Sequence, residues 1–162
     1  MAREIARRKR PRIGDVVEIV TPKGLAYAQY THNHKGRPHW GHLIRVLPGL
    51  FESRPATFSK LVQEKERFFI FFPLGVAVHR GIMEIVARED IPARCVSFPL
   101  FRVTGLPDRE GRVHQWGLWD GTKEWHIGSL APEHVDLSLL RIVNDTRLVQ
   151  MIVSGWKPSD DV

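Results

Sequence analysis

The sequence predicts a mainly β domain of the α+β kind: an antiparallel barrel-like or sandwich-like sheet, one short mid-chain helix and a C-terminal helix. Three observations predict it. Short runs rich in β-branched and aromatic residues recur at close spacing. Glycine- and proline-bearing turn signals separate them. Apolar residues at helical spacing mark two stretches, one mid-chain and one near the end of the chain that follows a capping residue.

Asp15–Val20 (DVVEIV) reads as a first strand, and Thr21-Pro22-Lys23-Gly24 as a turn. In Leu25–Tyr30 (LAYAQY), Leu25, Tyr27 and Gln29 share one face, and Ala26, Ala28 and Tyr30 the other. The small residues imply close packing on that second face. Thr31–Arg37 reads as a polar loop, and Trp40–Leu47 as a strand ended by Pro48-Gly49. In Ser53–Glu66, Phe58, Leu61 and Val62 fall at helical spacing and Pro55 suits a first turn, which predicts the mid-chain helix. Phe68–Phe72 (FFIFF) is too short for a helix and reads as a strand buried on both faces, with Arg67 and Pro73 as flanking gatekeepers.

Val76–His79 and Ile82–Val86 read as strand pieces around Gly81, and Val96–Val103 as a strand broken at Pro99. Val113–Trp119 and Lys123–Gly128 flank Asp120-Gly121-Thr122, a hairpin signal. Leu137–Val143 supplies a last strand. Asn144 or Asp145 then caps a helix to about Ser154, with Leu148, Met151 and Ile152 on its stripe and Gly155 as the stop. The expected division is a basic flexible arm over 1–12, a single β-rich domain over 13–157 and a loose tail over 158–162.

A chain of 162 residues, 43% hydrophobic, can bury a core without disulfides or metals. The one cysteine, Cys95, allows no intrachain disulfide, which fits a reducing, cytoplasmic setting. It reads as a small buried hydrophobe in a strand. The longest apolar run, Phe68 to Val78, is interrupted by Pro73 and Gly75, whereas a membrane span needs about 20 apolar residues. No apolar stretch of the secretory-signal kind follows the basic start.

The net charge of +6 is unevenly placed. Of 24 lysines and arginines, six stand in the first twelve residues: Arg3, Arg7, Arg8, Lys9, Arg10 and Arg12. Only one of 18 acidic residues, Glu4, accompanies them, so the remainder of the chain is close to neutral. The arm offers two readings, a solubilising terminus or a phosphate-contacting segment with salt-dependent affinity through Arg7, Arg8, Lys9, Arg10 and Arg12.

His32, His34, His39 and His42 crowd into eleven residues. Zinc would need several ligands converging within about 2.1–2.3 Å. No cysteine or carboxylate lies among these histidines, so the stretch reads as a solvated hairpin loop and neither a metal nor another cofactor is expected. With Lys35, Arg37 and Trp40, it is instead a candidate contact surface. Trp116, Trp119 and Trp125 surround the Asp120-Gly121 turn; cross-strand packing is the simpler reading, a stacking platform the other. Trp116 and Trp119 should face opposite sides, one more exposed than the other. P-loop, GxGxxG, GxSxG and HExxH signatures are absent, which argues for a binding protein rather than an enzyme.

From Gly14 onward the order of elements resembles the immunity protein 26 family of bacterial polymorphic toxin systems. The residues that carry the resemblance are GDVVEI, LAYAQY after the Gly24 turn, FFPLGVAVHRGIMEIVA and the proline-bearing PLFRVTG, over about Ile13 to Gly105. Where the family commonly has a tryptophan, this chain has Gly81-Ile82-Met83. The resemblance implies a largely β fold that neutralises a toxin by binding it, with no active-site residues. The expected function is therefore non-enzymatic recognition of a protein partner through His32, His34, Lys35, Arg37, His39 and Trp40. The alternative is a nucleic-acid-associated small β domain using the arm. Exposed strand edges could pair in a homodimer.

Overall fold

A computed structural model describes residues 10–162. It is mainly β, with two antiparallel sheets that do not close on themselves, in a sandwich-like arrangement. The larger sheet contains β1 (Asp15–Thr21), β2 (Gly24–His34), β3 (Gly41–Val46), β4 (Phe68–Phe71) and β5 (Glu84–Arg88), in the order β4-β3-β2-β1-β5. The smaller contains β6 (Phe101–Thr104), β7 (Trp116–Trp119) and β8 (Glu124–Gly128), in sequence order. Two helices are present among the described residues, α1 (Leu74–His79) and α2 (Asp145–Ser154).

Alternation along the strands divides the larger sheet into two differently covered faces. One carries Val17, Ile19, Ala26, Ala28, Tyr30, Ile44, Val46, Phe68 and Ile70, all buried. Leu74, Ala77 and Val78 of α1 and Leu148, Met151 and Ile152 of α2 cover it. The small side chains Ala26 and Ala28 are what the sequence associated with close packing. Each large apolar side chain removed from water here contributes about 2 kcal/mol. The α2 helix begins where Asn144 Oδ1 accepts a 2.8 Å hydrogen bond from the Arg147 N–H. It ends at Gly155, whose φ of 70° suits a residue without a Cβ.

The other face is built in two apolar halves. Val16, Tyr27 and Leu47 meet Phe58, Leu61 and Val62 at one end. Leu43 and Phe71 meet Phe101 and Trp119 of the smaller sheet at the other. The segment expected as a last strand, Leu137–Val143, makes only isolated parallel bridges, Phe71 to Ile142 and Arg102 to Leu139. It is thus a seam between the two sheets.

Several elements differ from expectation for identifiable reasons. The mid-chain helix expected over Ser53–Glu66 is a single 3₁₀ turn at Leu61–Gln63. Phe58, Leu61 and Val62 do share a core, but the Val62 and Glu64 carbonyls accept hydrogen bonds from arginine side chains. The mid-chain α-helix is instead Leu74–His79, where a strand piece was expected. Pro73 sets its start, and Leu74, Ala77 and Val78 lie at the i, i+3, i+4 spacing of a buried stripe. The strand expected over Val96–Val103 narrows to Phe101–Thr104, behind a 3₁₀ turn at Ala93–Cys95 that holds Cys95 outside any strand. Trp116 and Trp119 do face opposite sides, yet both are buried. Arg102 covers Trp116, with its guanidinium carbon 4.9 Å from the ring centre, and an aromatic cluster covers Trp119.

The tail over 158–162, expected to be loose, is held by that same arginine. Arg102 has no exposed surface. It donates to the carbonyls of Leu137, Pro158 and Asp161, at 2.9 Å and 2.8 Å for the first and last. Deleting residues 158–162 withdraws two of these acceptors from a buried cation, and should cost about 2 kcal/mol or more. Thermal unfolding should then move down by roughly 4–8 °C. Asp161→Ala retains the carbonyl and loses a partly exposed pair with Arg141 and the carboxylate's longer-range attraction for Arg102, so its melting temperature should move by no more than about 3 °C. Equal, small effects of the two changes would show that the Arg102 contacts do not hold the tail.

Candidate partner-binding site at the end of the β2–β3 hairpin

The stretch expected as a polar loop over Thr31–Arg37 is strand as far as His34. A bulge between Tyr30 and His32 changes what that strand presents. Tyr30 opposes Ile44 and His32 opposes Leu43, which leaves Thr31 as the extra residue. Simple alternation would put His32 and His34 beside Ala26, Ala28 and Tyr30. The bulge turns them to the opposite face, toward Phe98 and Trp119. Asn33 and His42, themselves paired, face the α1 side, where the His42 ring lies 4.9 Å from that of Tyr30.

Both turned histidines are occupied. His34 Nε2 donates to the Gly121 carbonyl at 2.9 Å, and its Nδ1 accepts from the Trp40 N–H at 3.4 Å. These bonds select the tautomer protonated at Nε2. Gly121 is the tip of the β7–β8 hairpin; its φ is 98°, and a Cβ there would stand 2.7 Å from the Phe98 ring. His32 Nε2 donates to the Val96 carbonyl at 2.9 Å, and its Nδ1 lies 2.9 Å from Thr31 Oγ1. All four ring nitrogens have protein partners, so these histidines lack a lone pair directed at a shared open point. Among the described residues, no group of three or more His, Cys, Asp or Glu side chains is placed to hold a metal ion.

The six residues expected to form a contact surface therefore separate by role. His32 and His34 tie β2 to the 96–98 segment and to the hairpin tip. Trp40 is half-buried, its ring 5.5 Å from Phe71 and 6.2 Å from Trp119. Lys35, Arg37 and His39 are exposed. Of the arm residues, Arg7, Arg8 and Lys9 lie outside the described residues, while Arg10 and Arg12 are exposed.

Two depressions of about 410 Å³ flank the exposed loop, and Asn33 lines both. The first is bounded by Ile13, His32, His34, Lys35, Phe98 and the Asp120–Thr122 turn. The second is bounded by His39, Trp40, His42, Phe72, Pro73, Val76 and Ile142. In the second, Val76 is 52% exposed and Ile142 55% exposed. Burial, with the nearby His39 adding a smaller effect, holds the His42 imidazole below its ordinary pKa, which favours its neutral form. The basic, aromatic composition of the loop pointed to Trp40, but not to Val76 and Ile142, which lie some 36 and 102 positions later. Their signal is only apolar character on exposed surface.

Beneath the hairpin is a buried polar network. Arg45 has no exposed surface. Its guanidinium donates to Gln29 Oε1 at 2.7 Å, the Val62 carbonyl at 3.0 Å, the Glu64 carbonyl at 2.7 Å and Glu66 at 3.3 Å. Gln29 in turn donates to the Glu89 carbonyl at 2.9 Å. Glu66 also accepts from Arg94 and from the Cys95 thiol, at 2.9 and 3.0 Å. Desolvation opposes ionisation of Glu66, but the Cys95 and Arg94 hydrogen bonds and Arg45 outweigh it, leaving the carboxyl below its usual range.

No family model, curated protein or solved structure matches the chain. No helix among the described residues is long and apolar enough to cross a membrane.

Burial, then the hydrogen bond to Glu66, push the Cys95 thiol up to about 11. The thiolate is the reactive form. In the folded protein at pH 8, Cys95 should therefore resist a thiol-exchange reagent, reacting at least about 100-fold more slowly than after denaturation. Equal rates in the two states would contradict the closed environment described for it.

Proposed function

We propose that this chain is a non-enzymatic recognition domain of the toxin-immunity kind, binding a protein partner at the end of the β2–β3 hairpin. One observation carries the reading most: Trp40, Val76 and Ile142 bring apolar surface together in an open groove beside three exposed basic side chains. An aromatic or aliphatic anchor seated in a groove, with a polar rim, is the usual anatomy of a protein contact. The resemblance of the sequence to the immunity protein 26 family supports the same reading, and on that resemblance the partner is a bacterial toxin.

A second reading has its own observation. Ile13 shares a depression with Lys35, which brings the root of the basic arm beside the exposed loop. Such a cluster of cations could contact nucleic acid phosphates.

The direct test is co-expression with the product of the adjoining reading frame under an inducible promoter. Growth arrest by that product should be relieved by this chain. Val76→Arg and Ile142→Arg, both at exposed positions, should keep the fold and weaken complex formation at least about tenfold. An adjoining product that causes no arrest, or relief that persists in both variants, would overturn the reading.

A further inference from the structure

We infer that the partner segment recognised at this site is acidic and carries one apolar side chain, and that it straddles the loop from Lys35 to His39. The inference rests on the protein-binding reading above and supplies the partner's chemistry.

From Asn33 to Gly41 the chain offers Lys35, Arg37 and His39, and no carboxylate. The three are exposed, and no carboxylate pairs with Lys35 or Arg37 among the described residues. Arg10 and Arg12 add two exposed cations where the arm leaves the fold, next to Ile13. The acid nearest the loop in the first depression is Asp120. Its Oδ1 accepts from the Thr122 and Lys123 N–H groups at 2.9 and 2.7 Å. These turn bonds hold its carboxyl below the usual range, so it stays ionised and faces the turn amides. The loop itself therefore carries only positive charge, with the Asp120 carboxylate at the rim of the first depression, although the chain beyond the arm is near neutral.

Shape supplies the second half. The depressions lie on opposite flanks of one loop and share Asn33. Only the Trp40 flank joins apolar surface from three separate parts of the chain, Trp40, Val76 and Ile142. A segment crossing the loop can seat an apolar side chain there and leave its carboxylates over Lys35, Arg37 and the arm root. Potentials of opposite sign would speed association and align the segment.

The test is selection of a random dodecapeptide phage library on the immobilised full chain, followed by fluorescence anisotropy with the enriched peptides. Enriched peptides should contain several Asp or Glu residues and one large apolar residue. Lys35→Glu with Arg37→Glu should weaken them at least about tenfold and flatten their salt dependence. Val76→Arg should weaken them too, more at high salt than at low salt, where the added cation itself attracts the acidic segment. Unchanged thermal melts would establish that each variant is folded. Enriched peptides without acidic excess that still require Val76 would overturn the acidic partner and leave the groove reading standing. Peptides indifferent to Val76→Arg would overturn both. An empty selection, with a single-stranded oligonucleotide retained through Lys35 and Arg37 at low salt, would overturn the inference in favour of nucleic acid.

Discussion

Arg45 is the constraint on which the larger sheet depends. A guanidinium with no exposed surface is tolerated only where carbonyls and carboxylates fully surround it. Its acceptors come from β2 and from the 62–66 segment, and through Glu66 they reach Arg94 and Cys95. These parts must therefore lie over the same point of β3. That requirement separates the two apolar halves on this face, Tyr27 with Phe58 on one side and Phe71 with Trp119 on the other. The ionic arrangement specifies which segments come together.

The bulge at Thr31 acts on the same hairpin from its far end. One extra residue turns two histidines from the helix-covered face to the face shared with the smaller sheet. Each then uses its ring nitrogens to hold a neighbouring segment. The bulge converts what would be a freely projecting loop into a braced one. Only Lys35–His39 remain beyond the brace, and this confines the exposed charge to a short stretch between two depressions.

Much of this was legible in the sequence, and the exceptions have physical causes. The DVVEIV and LAYAQY strands, the Asp120-Gly121 hairpin and the capped C-terminal helix follow from period, turn chemistry and caps. Those are local signals. The Ser53–Glu66 stretch has helical spacing but only one 3₁₀ turn, at Leu61–Gln63, whose end is held by Arg45 and Arg94 bonding to the Val62 and Glu64 carbonyls. Leu74–His79 has the opposite history: β-branched composition concealed an i, i+3, i+4 stripe. In the site, Lys35, Arg37, His39 and Trp40 were readable as a basic aromatic cluster. The inward bonding of His32 and His34 was not, since a bulge leaves no composition signal. Nor were Val76 and Ile142, which reach the groove through tertiary packing. Arg45 between Leu43 and Leu47 was a readable anomaly: a charge on a core face demands partners.

The fold is an internally bonded platform that presents a short basic loop beside an apolar groove. Native-state hydrogen exchange on the free chain tests this most directly. The amides of Gln29, Ile44 and Arg45 should exchange only through global unfolding, slower than those of Lys35, Arg37 and His39 by about four orders of magnitude or more. Comparable protection across all six positions, or local opening at Arg45, would contradict the division between locked platform and exposed loop.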